Sequence, residues 1–249
     1  MEIRICKNRY ELGRSAADYT AALLKKAIAE KGSARIALST GASQFDTLAA
    51  LVQEDVSWDK VEMFHLDEYV GLSESHPASF RKYLKEKFTT RVSLKAAYFV
   101  EGTEENRKVI SEEIQKAPVD VGLIGIGENS HIAFNDPPAD FSTEEPYIVV
   151  NLNDTCKKQQ VGEGWFENIE DVPKQAVSMS VNQILKCEHI ISCVPYAVKA
   201  DAVYKTLSGE LSNMVPATIL KTHPNFTLYI DKDSAGKLSL PVCWGKQAV

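Results

Sequence analysis

The sequence predicts an α/β fold, a single doubly wound and mostly parallel sheet flanked by helices. Three observations predict it. Short apolar runs of strand length alternate with segments of helical periodicity, the pattern of βα units. Polar clusters fall just past the ends of those runs, at residues 39–43, 67–68, 128–136 and 195–199, where open α/β sheets bind their ligands. No repeat, low-complexity stretch or shift of composition divides the 249 residues, so one domain over 1–249 with a Rossmann-like sheet is expected.

The elements follow in order. Ala16, Ala17, Leu23, Leu24, Ala27 and Ile28 recur at helical spacing, giving a helix over about 13–31 that Gly32 ends. No strand is expected before residue 34. ARIALS (34–39) is a short buried strand, followed by a turn at 40–43 and a helix over 46–53. VEMFHL (61–66) is the next strand, ended by Asp67 and Glu68. Helices are expected at 79–88 and 104–116, and VDVGLIGIG (119–127) is the clearest buried strand. YIVVNL, AVSMSV, HIISCVP and FTLYID are later strands, with a helix over 197–207 between the last two.

Composition narrows the function. The net charge is −6 with both signs mixed along the chain, which argues against a nucleic-acid partner but allows a local basic pocket for a small anion. Cys6, Cys156, Cys187, Cys193 and Cys243 are odd in number and scattered, without a CxxC pair. A reducing, cytoplasmic setting is expected, without a disulfide framework, zinc site or other metal. The first residues lack an apolar signal core, and no run approaches 18 apolar residues, so no membrane span is expected.

Three stretches could carry chemistry. In GIGENSHIAFNDP (125–137), two glycines free the backbone at a strand end, and His131 follows with Asn129 before it and Asp136 after it. An imidazole so placed can shuttle protons near neutral pH; a loop histidine bonded to a carbonyl fits equally well. The GxGxxS pattern, with Gly127 in it, is a weak match to a dinucleotide fingerprint, because it lies mid-chain and lacks the third glycine. Asp67 and Glu68, at a strand end, suit a general base beside a sugar carbon, or else a solvated turn or helix cap. Thr40, Gly41, Ala42 and Ser43 lie between strand and helix, where backbone N–H groups and hydroxyls can hold an anion, or simply form a tight turn. His76, His189 and His223 have no partners arranged for a metal and read as structural or superficial.

Taken together these stretches resemble the glucosamine-6-phosphate deaminase family. LSTGAS resembles its phosphate-loop strand and turn. Residues 66–72, LDEYVGL, with His76, Pro77, Ser79 and Phe80, resemble its DEYVGL…HP.S(F/Y) signature, and 125–137 resembles GxGxxGHxAFNEP. Val172, Pro173, Lys174 and Ala176, then Lys199, continue the match in order. The related 6-phosphogluconolactonases share the fold and are expected to carry DER and SLFP where this chain has DEY and AFND. The resemblance implies a hydrolase/isomerase of amino-sugar and carbohydrate metabolism, converting glucosamine 6-phosphate or a close analogue to fructose 6-phosphate and ammonium. It implies His131 as ring opener, Asn129 and Asp136 as its orienting partners and Asp67 as the base at C2. Thr40, Gly41, Ala42, Ser43, Glu68, Gly127 and Lys199 would bind substrate, with no cofactor, in a monomer or homo-oligomer. A sugar-phosphate lactonase and a non-catalytic sugar-phosphate binder are the alternatives.

The chain departs from the pattern at several places. Ser130 replaces a glycine, Asp136 replaces a glutamate, and Asn129 stands where some members carry aspartate. In ungapped register with Val172, Pro173 and Lys174, Glu163 stands where a phosphate-binding arginine is implied. A carboxylate pointing inward would repel a phosphate, so Glu163 is expected to turn away, or Gly162 and Gly164 to take the loop along another path. The chain ends soon after FTLYID, so no allosteric effector site is expected.

Overall fold

The computed structural model describes residues 1–239 and the backbone of 245–248. Strands β1 (Glu2–Cys6), β2 (Ala34–Leu38), β3 (Val61–His65), β4 (Asp67–Tyr69), β5 (Ala96–Tyr98) and β6 (Val121–Leu123) come first. They are followed by β7 (Tyr147–Asn151), β8 (Gln175–Met179), β9 (His189–Val194), β10 (Phe226–Asp231) and β11 (Gly245–Ala248). The helices are α1 (Arg9–Lys31), α2 (Phe45–Leu51), α3 (Phe80–Leu84), α4 (Glu104–Gln115), α5 (Asp154–Gly162), α6 (Val181–Leu185) and α7 (Ala200–Ser208). An eight-stranded sheet has the order β11-β1-β10-β9-β6-β2-β3-β5. Its neighbours are all parallel except β11, which runs antiparallel to β1. The mostly parallel α/β fold is therefore as the sequence predicts.

Side-chain alternation sorts the core onto the two faces of this sheet. Ile36 and Leu38 of β2 join Leu24 of α1 and Leu48 of α2, while Ala37 joins Ile110 and Ile114 of α4 on the other face. This is the period-2 rule for strands applied to a sheet covered on both sides. α1 starts where the Asn8 side chain accepts bonds from the N–H groups of Tyr10 and Glu11, and stops at Gly32 in the left-handed region.

Three expectations need correction. A strand, β1, does precede residue 34, and α1 begins four residues earlier than its apolar spacing suggests, at Arg9. The charges of Glu2 and Arg4 mask the strand, but they pair with each other at 2.9 Å, and Arg4 stacks over Tyr19 and Tyr229. Second, β7 and β8 do not join the main sheet. They form an antiparallel three-stranded sheet with β4, in the order β4-β8-β7. Third, Asp67 and Glu68 do not simply end a strand. They open β4, with Asp67 opposite Ser178. A separate apolar cluster that includes Tyr69, Phe134, Cys156 and Phe166 holds this small sheet to α5.

Candidate active site

From β2 the chain moves to β3 and β5 on one side, and later returns to β6, β9 and β10 on the other. The crevice between the loops after β2 and β6 is thus the topological switch point, where open α/β sheets bind ligands. A cleft of about 170 Å³ lies there. Thr40, Gly41, Ala42, Ser43, Asp67, Gly127, His131 and Lys199, all expected site residues, line it.

One end of the cleft is a closed hydrogen-bond set. His131 Nδ1 is 2.6 Å from Asn129 Oδ1 and 3.2 Å from Asp136 Oδ1, and Asn129 Nδ2 donates to Asp136 Oδ1 at 3.0 Å. An amide oxygen only accepts, so Nδ1 carries the proton in the neutral ring and Nε2 is its free acceptor. Burial alone would raise the Asp136 pKa; the bonds from His131 and Asn129 outweigh it and hold the carboxyl below its ordinary range. The shorter arm of Asp136 therefore still reaches the imidazole. Backbone geometry fixes the ring as well. Gly127 N–H donates to the His131 carbonyl at 2.9 Å, and the imidazole packs directly on the Gly127 Cα, where a Cβ would overlap three ring atoms. Ser130, in place of the family glycine, adopts φ +68°, the left-handed conformation glycine favours.

Asp67 reaches the cleft from β4, 6% exposed. Burial first, and the Glu68 carboxylate second, push its pKa up to about 8. Glu68 itself does not line the cleft, contrary to its expected binding role. Consecutive strand residues point to opposite faces, and Glu68 turns away into a fully buried set. There it accepts from Ser79 Oγ at 2.8 Å, from the Arg81 N–H at 2.9 Å and from Arg81 Nε at 3.3 Å. Removing Glu68 would take its ion-pair partner from the buried Arg81 guanidinium.

The other end of the cleft is less tied. Gly41, at φ +99°, turns the chain from β2 into a short 3₁₀ segment, Ala42–Gln44, ahead of α2. Ser39 Oγ, at its edge, is buried without a hydrogen-bond partner among the described residues. Lys199 is 7% exposed, and its side-chain ammonium makes no hydrogen bond and no ion pair within 4 Å among the described residues. Burial lowers its pKa, while Glu163 and Glu128 act in the opposite direction. Glu163 does not turn out of the site. It lines the cleft from the end of α5, where its carboxylate accepts from Gln159 Nε2 at 2.8 Å and from Trp165 Nε1 at 3.1 Å.

Sequence reasoning missed Tyr196 and Cys156. Tyr196 lines the cleft at φ +81°, a conformation its residue type does not announce. Cys156, buried on α5, sets its thiol beside the Asp136 carboxylate, a contact made only by the fold. Among the described residues no group of three or more His, Cys, Asp or Glu side chains could hold a metal ion, and no helix is long and apolar enough to cross a membrane. Cys6, Cys156, Cys187 and Cys193 are free and buried; Cys243 lies outside the described residues.

Comparison with known proteins identifies the family. The family described as glucosamine-6-phosphate isomerases/6-phosphogluconolactonase matches residues 7–229. A glucosamine-6-phosphate deaminase of Staphylococcus epidermidis is 37% identical over 233 residues, 88% of this chain and 94% of that protein. One of Thermoanaerobacter pseudethanolicus is 33% identical over 246 residues, 94% of each chain. The structure of a monomeric glucosamine-6-phosphate deaminase superposes with a TM-score of 0.85 at 30% identity, covering 95% of this chain and 99% of that one. A 6-phosphogluconolactonase from Shewanella baltica reaches 0.75 at 16% identity over 92% of this chain and 97% of that one, a likeness of fold alone. The chain belongs to the glucosamine-6-phosphate isomerase/6-phosphogluconolactonase family.

Proposed function

We propose that this protein is an amino-sugar-phosphate deaminase/isomerase, converting glucosamine 6-phosphate or a close analogue to fructose 6-phosphate and ammonium, in one domain over 1–249. The observation that carries the reading is the pairing in one cleft of an oriented imidazole, His131 on Asn129 and Asp136, with the buried carboxyl of Asp67. His131 moves the proton of the anomeric hydroxyl to the ring oxygen, breaking the C1–O5 bond. Asp67, once ionised, takes the C2 proton as the C1 carbonyl becomes an enol, whose oxygen gains the proton given up by the C2 ammonium; Asp67 then returns the C2 proton to C1. The C2 iminium so formed adds water and expels ammonia, which leaves as ammonium. A single carboxylate can serve C2 and C1 because both lie on one face of the enol. Thr40, Gly41, Ala42, Ser43 and Lys199 hold the phosphate on this reading. The protein works in the cytoplasm, where its buried thiols stay reduced.

The test is ammonium release across amino sugars with and without a 6-phosphate, beside hydrolysis of 6-phosphogluconolactone. The expected result is release from a phosphorylated amino sugar and no lactone hydrolysis above background. Lactone hydrolysis without ammonium release would overturn the proposal in favour of a lactonase, and binding without turnover would indicate a sensor.

A further inference from the structure

The Thr40–Ser43 turn and Lys199 come from different strands, β2 and β9, and one residue touches both. Tyr196 stands at the start of the 3₁₀ segment Ala197–Lys199, with φ +81° and ψ 142°. That region is nearly closed to residues with a Cβ, and such backbone persists only where its surroundings over-determine it. Here they do. The Tyr196 N–H donates to Asp231 Oδ2 at 3.2 Å, at the end of β10, and its carbonyl accepts the Lys199 N–H at 3.0 Å. The phenol hydroxyl donates to the Ala42 carbonyl at 3.4 Å and accepts from Arg9 Nη1 at 3.1 Å. Arg9 lies 3.6 Å from Asp46, on α2 beyond the same turn. The backbone of Tyr196 therefore sets where Lys199 starts, and its side chain grips the turn that faces it.

We infer that Tyr196 is a positioning residue for phosphate binding, a clamp that fixes the spacing between Lys199 and the Thr40–Ser43 turn. This rests on the proposed assignment of those groups to the phosphate. The bond to Ala42 is long, and the Lys199 side chain has no hydrogen-bond or ion-pair partner among the described residues, so the spacing between the two elements relies on few ties. Gln44 Nε2 supplies a second tie, to the Cys193 carbonyl at 3.2 Å, closer to the sheet. Loss of the phenol hydroxyl then loosens the outer part of the anion end and leaves its base in place.

The experiment compares wild type with Tyr196→Phe, which keeps the ring and the backbone bonds. The readouts are KM and kcat for glucosamine 6-phosphate, the inhibition or dissociation constant of inorganic phosphate, and thermal stability. Loss of the phenol's long bond to Ala42 and its bond from Arg9 gives a rise in KM of about fivefold or more and a matching weakening of inorganic phosphate. kcat is expected to stay within about twofold, because the proton-handling groups are untouched. Equal losses in KM and kcat, or inorganic phosphate bound as tightly by Tyr196→Phe as by wild type, would overturn the clamp. A second variant, Gln44→Ala, separates clamp from general loosening. If it weakens phosphate as Tyr196→Phe does but lowers stability several degrees more, the two ties act at different depths as inferred; if Tyr196→Phe is the less stable of the two, its role is structural and the inference fails. Should the wild type release no ammonium, the functional reading falls, and the clamp is judged on inorganic phosphate alone. A wild type that does not bind phosphate ends it.

Discussion

The two ends of the cleft are built differently. At the His131 end the imidazole is fixed through both its side-chain and its backbone partners: Nδ1 by Asn129 and Asp136, the carbonyl by Gly127, the ring plane by the absence of a Cβ beneath it. At the Lys199 end, among the described residues, the ammonium has no hydrogen-bond or ion-pair partner and the Ser39 hydroxyl is unpaired, and a carboxylate, Glu163, faces the same space. The first arrangement is preorganised for moving protons, where a misplacement of 1 Å is expensive. The second keeps its hydrogen-bonding capacity for a ligand. On the proposed function, binding energy is gained at the Lys199 end and used at the His131 end, so substitutions at the two ends should separate into KM and kcat effects.

The largest effect is expected from Asp67→Asn. An amide cannot accept the C2 proton, so kcat should fall on the order of 10⁴-fold and exchange of that proton with solvent should stop, while substrate still binds. Unchanged exchange by isotope analysis would remove Asp67 from the mechanism. The same carboxyl makes two pH predictions. Its pKa of about 8 in the empty cleft predicts that kcat/KM rises with pH through that value as the base ionises. It also predicts a stability effect. A folded-state pKa raised from 3.8 means the native protein binds more protons than the unfolded chain between those values, so stability falls as pH rises from about 4 to 8. Asp67→Asn should therefore raise the melting temperature at pH 8 and leave it unchanged near pH 4.

Next come His131→Ala and Gly127→Ala, each expected to lower turnover of the closed-ring sugar on the order of 10³-fold. His131→Ala tests the imidazole itself. Gly127→Ala leaves every titratable group in place and only drives the ring off its seat, so equal losses would show that position, not mere presence, is what the β6 loop supplies. Normal activity in either variant would refute the ring-opening role. Lys199→Ala should act at the other end. It should weaken the phosphorylated sugar by about 1.5–3 kcal/mol, the scale of a charge-assisted hydrogen bond, and hardly change an unphosphorylated analogue. Equal losses for both sugars would break the division of the cleft into two ends.

Much of this was legible in the sequence, and what was not has physical causes. The parallel strands were visible because burial on both faces makes them mostly apolar runs, as in ARIAL and HIISCV, broken only by Arg35, His189 and Ser192. The loops after β2 and β6 were visible because their polar clusters interrupt those runs. The small sheet was not, because strand character is local and strand partnership is not: QAVSM alternates the same way whichever sheet receives it. The direction of the Glu68 side chain was hidden for the same reason. Read as a strand end, Asp67 and Glu68 are two carboxylates side by side; read as the start of β4, they face opposite ways. Tyr196 and Cys156 were invisible for another reason. Their parts depend on a positive φ and on a helix, α5, whose apolar spacing is too weak to mark it.

The smallest predicted effect concerns Glu163, and it decides what the anion end is for. Its carboxylate is exposed at the end of α5 and held by Gln159 and Trp165, so it cannot swing freely out of the way. In solvent, a like charge near a phosphate at several ångströms is repulsive by no more than about 1 kcal/mol, and salt reduces it further. Glu163→Gln removes the charge and keeps an acceptor for the Trp165 N–H. If Glu163 merely tempers the field of Lys199, affinity for glucosamine 6-phosphate should rise two- to fivefold at low ionic strength, the gain should shrink in salt, and the unphosphorylated sugar should be unaffected. If instead the substitution weakens binding of both sugars, Glu163 contacts a hydroxyl or the ammonium of the substrate, and the phosphate lies elsewhere in the cleft. The measurement is Kd for both sugars, in wild type and variant, at two salt concentrations. The sign of the change, more than its size, separates a screening carboxylate from a binding one.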